Sequence, residues 1–129
     1  MIELFINGKR LKSSSGETRN IIHPADGSIV EVAQEATNSD VEIAIKSARL
    51  AFETGPWSKT TNAHRSSVLK RIAELLERDK ASFAKAESKD TGKRFIEAEY
   101  DMDDVIKVFK YFAELISQQQ NRKVNVDRE

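Results

Sequence analysis

The spacing of apolar residues changes near residue 38, and this change limits the folds that the chain can adopt. Before it, short apolar runs separated by Gly, Pro, Asn and Asp are typical of strands and turns. After it, apolar residues recur at the three- and four-residue spacing of amphipathic helices. A hairpin and one further strand are too few to form a stable sheet by themselves. The pattern therefore predicts an α/β fold that is incomplete as a domain.

Residues 1–37 are predicted to form strands and turns. The dipeptide Asn7-Gly8 separates "LFI" from "KRL", and it favours the tight turn of a β-hairpin. The segment "NIIHPADGSIVEVAQ" predicts a short extended stretch, a turn at Asp26-Gly27 and a strand over 29–34. The front of the chain is thus expected to hold one β-hairpin and one strand.

Residues 38–119 are predicted to form three amphipathic helices. The first begins with Ser39 and Glu42 at the spacing of a capping box. The second runs from near Asn62 to near Gly92, which is a natural C-terminal cap. The third carries an apolar face formed by Val105, Val108, Phe109, Phe112, Leu115 and Ile116. The last ten residues, 120–129, are predicted to be a polar tail.

Composition argues against several classes of function. The 21 Lys and Arg residues balance 21 Asp and Glu residues, so no net charge attracts nucleic acid or an anionic membrane. No cysteine is present to form disulfides, a thiolate metal site or a thiol nucleophile. The N-terminus lacks signal-peptide features, and no apolar run approaches the roughly 20 residues that span a bilayer. We expect a cytoplasmic protein without nucleic-acid or membrane partners.

The residues alone predict no catalytic site and no cofactor-binding site. The five glycines form neither a phosphate-binding loop nor a dinucleotide fingerprint. His23 and His64 are far apart in the sequence and have no partners at metal-ligand spacing. Asp90 precedes Thr91-Gly92, so its side chain is predicted to bond backbone N–H groups of a turn.

Four carboxylates precede the apolar face of the third helix: Glu99, Asp101, Asp103 and Asp104. Their position predicts that they lie in the first turn of this helix, where they complement its dipole and cap free N–H groups. Asp101 and Asp104 are three residues apart and can share one helical face.

The order of several strings resembles the N-terminal portion of the NAD(P)-dependent aldehyde dehydrogenase superfamily. The strings are "FINGKR", "HPADG", "FETGPWS", "RIAELLERD" and "DTGK", and the resemblance covers about residues 3–117. The string "YDMDDVIKVFKYF" is similar to the subgroup that acts on betaine aldehyde and amino-aldehydes. The resemblance implies that residues 1–129 are the N-terminal portion of the cofactor-binding domain of an aldehyde dehydrogenase fold.

The resemblance also implies a reaction. In this family a cysteine thiolate attacks the aldehyde, hydride passes to NAD(P), and a glutamate-activated water releases the acid. All of these parts would lie beyond residue 129. The chain is therefore expected to be a truncated segment, inactive alone, whose partner is the remainder of a homo-oligomeric enzyme that oxidises betaine aldehyde or an amino-aldehyde. The alternative is a non-catalytic helical interaction module derived from the same segment.

Two groups of site residues follow from the resemblance. A potassium or sodium ion would be held by the main-chain carbonyls of Ile21 and Ile22 and by Asp90, all hard oxygen ligands. Asp101 and Asp104 would lie at the substrate entrance with Tyr100 close by. Their charge would attract a cationic aldehyde, and the aromatic ring would add cation–π attraction.

Overall fold

The structure, a computed structural model, describes residues 1–119 and contains two β-hairpins followed by four α-helices. The elements are β1 (Leu4–Ile6), β2 (Lys9–Leu11), β3 (Thr18–Ile22), β4 (Ile29–Gln34), α1 (Asn38–Thr54), a 3₁₀ helix (Pro56–Lys59), α2 (Asn62–Arg78), α3 (Lys80–Thr91) and α4 (Phe95–Gln118). The strands precede the helices, as the change of spacing predicts. There is one more hairpin and one more helix than expected. The predicted polar tail, 120–129, lies outside the described residues.

The first hairpin pairs β1 with β2 through the turn that the sequence predicts. Asn7 and Gly8 both have positive φ angles, 52° and 73°. A type I′ turn requires positive φ at both central residues, and Asn-Gly adopts this conformation at low cost. The antiparallel register places Phe5 opposite Arg10.

The second hairpin pairs β3 with β4, so the extended stretch predicted before Asp26-Gly27 is itself a paired strand. The backbone N–H of His23 donates to the carbonyl of Ser28 at 2.8 Å and closes the turn. The register shifts between Ile21 and Ile22, which pair with Glu31 and Ile29, so Val30 of β4 is left without a partner in this ladder. Ile2 forms one parallel bridge to β4, while the two hairpins remain separate two-stranded sheets.

Helix α1 begins at Asn38, and its capping box is formed by Thr37 and Asp40, two residues before the predicted box. The hydroxyl of Thr37 accepts from the Asp40 N–H at 3.2 Å, and the Asp40 carboxylate accepts from the Thr37 N–H at 2.9 Å. The predicted box of Ser39 and Glu42 is therefore wrong. The Asp40 carboxylate also accepts hydrogen bonds from Ser14, so contacts with the β2–β3 loop fix where the helix starts.

The predicted second helix is divided into α2 and α3 at Asp79. The Asp79 N–H still donates to the carbonyl of Leu75 at 3.0 Å, but its φ and ψ of −102° and 12° are not helical. The side chain of Asp79 forms an ion pair with Arg78 at 2.6 Å. Helices α2 and α3 each contact α4 more extensively than they contact each other. The break allows both to pack on α4.

The core lies between α4 and the helices α2 and α3. Its buried apolar residues are mostly small: Ala73, Ala84, Ala98 and Ala113, with Met102 and Ile106. Alanines allow the helix backbones to approach closely. The hydroxyl of Ser66 on α2 donates to the carbonyl of Ala113 on α4 at 2.7 Å, which satisfies this polar group inside the interface.

Two apolar surfaces remain exposed. The first lies on α1 and the second on the outer face of α4, and they include Val41, Ile45, Phe52, Val105, Val108, Phe112 and Leu115. Exposed apolar area of this kind marks a surface that binds another part of a protein. No helix within residues 1–119 has the length and apolar character needed to cross a membrane.

Candidate functional site

A tight turn closes α3 and leads into α4. Gly92 adopts the left-handed conformation with φ 76°, and its N–H donates to the carbonyl of Ser88 at 3.0 Å. A Cβ added at Gly92 would lie 3.2 Å from the Cβ of Pro24. The turn therefore packs directly against the residues that follow β3, which brings together the two segments that carry the predicted cation ligands.

Asp90 and Ile21 line the same cavity, which has a volume of about 720 Å³ and lies between the second hairpin and α3. The cavity wall is mixed in charge, because Glu31 and Glu87 face it together with lysines of α3. Ile22, the next residue of β3, is not part of this wall. The structure thus places two of the three predicted cation ligands around one cavity. Within residues 1–119, no three His, Cys, Asp or Glu side chains form a cluster able to hold a metal ion.

The predicted turn-capping role of Asp90 is wrong. Helix α3 continues to Thr91, so Asp90 belongs to its last turn, and other side chains make the turn bonds. The hydroxyl of Ser88 donates to the carbonyl of Lys93 at 2.8 Å, and the Lys93 N–H donates to the Thr91 hydroxyl at 3.3 Å. Among the described residues, the carboxylate of Asp90 accepts no hydrogen bond.

The four carboxylates of the acidic string lie inside α4 and not in its first turn. The helix begins at Phe95, directly after the tight turn, and Glu97 is the acid of its first turn. The prediction that Glu99, Asp101, Asp103 and Asp104 cap the helix is therefore wrong. The apolar run that starts at Val105 marks the outer face of the helix, whose beginning lies ten residues earlier.

Three of these acids form ion pairs: Asp101 with Lys93 at 2.5 Å, Asp103 with Lys80 at 2.7 Å and Asp104 with Lys107 at 3.0 Å. The pair of Asp103 joins α4 to the first residue of α3. The pair of Asp104 stays within α4, and its two side chains are 74% and 73% exposed. Exposed pairs of this kind contribute little to stability, so Asp104 is available to a charged ligand.

Tyr100, Asp101 and Asp104 lie on one side of α4. Asp104 follows Asp101 by three residues and Tyr100 by four, and side chains at these spacings are neighbours on a helix. Tyr100 is 62% exposed. A cation at this surface would meet two carboxylates and an aromatic ring, which is the arrangement that favours a quaternary ammonium or an amine.

Lys93 is a further residue of this region that the sequence pattern does not reveal. Its ammonium lies 2.6 Å from the Glu87 carboxylate of α3 and 2.5 Å from the Asp101 carboxylate of α4. The hydrogen bonds that its ammonium donates to Asp101, and then to Glu87, raise the pKa of Lys93, so it remains charged. The three residues lie on different sides of a turn, and no helical spacing predicts their contact.

Comparison with known proteins gives consistent matches. The model of the aldehyde dehydrogenase family matches residues 11–129. Betaine aldehyde dehydrogenase of Bacillus subtilis is 38% identical over 112 residues, covering 87% of this chain and 23% of that protein. Retinal dehydrogenase 2 of Homo sapiens is 40% identical over 113 residues, covering 86% of this chain and 22% of that protein.

A solved structure gives a similar result. Betaine aldehyde dehydrogenase from Staphylococcus aureus in complex with NAD⁺ aligns with a TM-score of 0.90 at 34% identity, covering 98% of this chain and 25% of that one. The chain thus spans a quarter or less of the length of the relatives that it matches.

Proposed function

Since the chain belongs to the aldehyde dehydrogenase family and has the architecture of the N-terminal part of that fold, we propose that it works within a longer NAD(P)-dependent enzyme that oxidises a cationic aldehyde. The substrate would be betaine aldehyde or a related amino-aldehyde, and the product its carboxylic acid. This segment supplies neither the thiol nor the glutamate of the reaction, and the remainder of the enzyme would provide both. We expect the whole enzyme to be cytoplasmic and homo-oligomeric.

The observation that carries this proposal is the exposed surface of Tyr100, Asp101 and Asp104. The matched relatives include enzymes named for a cationic aldehyde and for retinal, so family membership by itself does not select the substrate. Carboxylates near a site entrance raise the local concentration of a cation, whereas they give no advantage to a neutral apolar aldehyde. The charge of this surface therefore supports the cationic substrate.

NAD(P) would accept the hydride when bound to the longer enzyme. The residues of this chain contain no glycine-rich loop to hold its phosphates. The contribution of this chain is at the surface of α4, where its carboxylates and its aromatic ring would receive and orient the cationic end of the aldehyde.

The test is to replace Asp101 and Asp104 together by Asn in the longer enzyme. We expect kcat/KM for betaine aldehyde to fall about tenfold relative to a neutral aldehyde of similar size, because the attraction of the cation is lost. The loss should shrink at high salt, which screens exposed charges. The control is Asp103→Asn, which removes one negative charge, against two in the double variant, at a residue paired with Lys80. Equal losses for both aldehydes would contradict the proposal.

We further propose that a potassium or sodium ion binds near Asp90 and the carbonyls of Ile21 and Ile22. Two observations support a fit: Asp90 and Ile21 line one cavity, and the turn at Gly92, two residues after Asp90, packs against Pro24, two residues after Ile22. Carbonyl and carboxylate oxygens are hard ligands, which suit an alkali cation. Further oxygen ligands would come from the remainder of the enzyme.

The cation proposal predicts that potassium stabilises the longer enzyme against thermal unfolding. Replacing Asp90 by Ala should remove this dependence, because a charged oxygen ligand is lost. The measurement is the Tm in potassium chloride compared with choline chloride at equal ionic strength. The control is Lys89→Ala on the same wall of the cavity, which should keep the dependence. An unchanged potassium effect in the Asp90 variant would exclude this carboxylate as a ligand.

A further inference from the structure

We infer that Lys93 is a specificity-determining residue, whose ammonium group, held between Glu87 and Asp101, limits the negative charge at the substrate entrance. The inference rests on the proposed function, because it concerns the same surface of α4. The evidence for it is the position and the charge of three side chains, those of Glu87, Lys93 and Asp101.

The position of Lys93 is fixed from several directions. Its ammonium contacts Glu87 at 2.6 Å and Asp101 at 2.5 Å, and its own carbonyl accepts from the Ser88 hydroxyl at 2.8 Å. The Lys93 side chain is only 29% exposed, unlike that of Lys107. A partly buried, doubly paired ammonium keeps one geometry, whereas an exposed pair exchanges with water.

The charges of the three groups decide the effect on a ligand. One ammonium and two carboxylates leave a single negative charge where Glu87 and Asp101 alone would leave two. A cationic aldehyde that approaches Asp101 also meets the ammonium of Lys93, which repels it. Lys93 therefore weakens the attraction of the entrance for cations and leaves Asp104 as its more accessible carboxylate.

Two substitutions that change the local charge in opposite directions test this role. In the longer enzyme, Lys93→Met removes the positive charge, so the ratio of kcat/KM for betaine aldehyde to that for a neutral aldehyde should rise about three- to tenfold at low salt. Glu87→Gln removes a negative charge but keeps a hydrogen-bond acceptor for Lys93, so the same ratio should fall. A merely structural role would lower the activity toward both aldehydes in both variants and leave the ratio unchanged.

Matched controls separate local charge from net charge and from folding. Lys85→Met on α3 makes the same change in net charge, and within residues 1–119 Lys85 forms no ion pair, so the ratio should stay near the wild-type value. Lys93→Arg keeps the charge and should behave like the wild type. If Lys93→Met does not fold, the Glu87→Gln variant tests the inference. A lower ratio supports the role of Lys93, and an unchanged ratio overturns it.

The outcomes distinguish this inference from the proposed function. If the Asp101 and Asp104 double variant loses its preference for the cation while Lys93→Met and Glu87→Gln leave the ratio unchanged, only the role of Lys93 is overturned. A ratio that rises equally in Lys85→Met also overturns it. If the double variant keeps the wild-type ratio, the entrance role fails, and the role of Lys93 falls with it.

Discussion

The contacts between the β2–β3 loop and the first helix converge on Asp40. One oxygen of its carboxylate accepts hydrogen bonds from the hydroxyl of Ser13 and from the N–H and hydroxyl groups of Ser14 and Thr37. Asp40 is only 7% exposed. These bonds, above all that of the Thr37 N–H, lower the pKa of Asp40 from 3.8 to about 2. The charged form of Asp40 therefore holds the loop to the helix.

This linkage predicts a pH-dependent effect of Asp40→Asn. A lowered pKa means that the carboxylate stabilises the folded state above pH 3.8, and that this stabilisation is lost as the pH falls through about 2. We expect faster amide hydrogen exchange around Ser14 in the variant at pH 6, with the difference narrowing toward pH 2. Peptide-resolved mass spectrometry of the longer enzyme measures the amide hydrogen exchange.

The control for this prediction is Glu42→Gln, an exposed acid of the same helix whose pairing with Lys46 spans 3.6 Å. It should leave the exchange near Ser14 unchanged. If the difference in exchange rate between wild type and Asp40→Asn is the same at every pH, the charge of the carboxylate is not what holds the loop to the helix.

The same residues show what the sequence can predict at this scale. Asn7-Gly8 needs only its own backbone preference, and its turn is predicted correctly. The string "TNSDVE" contains two overlapping capping boxes, one starting at Thr37 and one at Ser39. The choice between them depends on Ser13 and Ser14, which are distant in sequence, so local spacing could not make it.

Helix α4 is an element with two apolar faces. One face packs on α2 and α3 through residues such as Met102 and Ile106, which are 6% and 5% exposed. The other face holds Val108 and Phe112, which stay exposed, and Asp101 and Asp104 lie toward its N-terminal end. The helix thus joins the core of this segment to an exposed, largely apolar surface.

The two faces predict different effects of equal substitutions in the 129-residue chain. Met102→Ser removes a core side chain and should cost about 2–4 kcal/mol, seen as a loss of helical circular dichroism. Phe112→Ser changes a residue that is 50% exposed, so the helical signal should persist while binding of a hydrophobic dye decreases. Loss of helix in the Phe112 variant would show that this face is already covered in the isolated chain.

The break at Asp79 shows why the sequence predicts where the helical region lies but not how many helices it contains. The apolar spacing continues across Asp79, so the sequence predicts one helix from near Asn62 to near Gly92. In the structure α2 begins at Asn62, and α3 ends at Thr91 with Gly92 as its C-terminal cap. The division arises because α2 and α3 each pack on α4, a contact between segments that spacing does not encode. Asp101 and Asp104 lie in one helix at the spacing of neighbours, as the sequence predicts, whereas the pairing of Asp101 with Lys93 depends on the turn at Gly92.

For the whole molecule, the exposed apolar faces of α1 and α4 predict the behaviour of the 129-residue chain alone. It should keep helical structure, bind a hydrophobic dye and self-associate, because these faces lack their partner. It should also show no dehydrogenase activity, and adding the remainder of the enzyme should restore it. Dye fluorescence, light scattering and an activity assay measure these properties.

A cooperative, monomeric melt with little dye binding would instead support the alternative, an interaction module that folds independently. Such a module would hide the faces of Val41 and Phe112 against its own residues. Exposure of both residues in the structure favours the segment of a longer enzyme.

The alanine-rich core has a thermodynamic consequence. Within residues 1–119, no large side chain is fully buried, and five of the seven buried apolar residues are alanines. The heat capacity change of unfolding and the denaturant m-value both scale with the area that unfolding newly exposes to water. Both quantities should therefore be small per residue for this chain, so its stability should change gradually with temperature and urea, and its transitions should be broad.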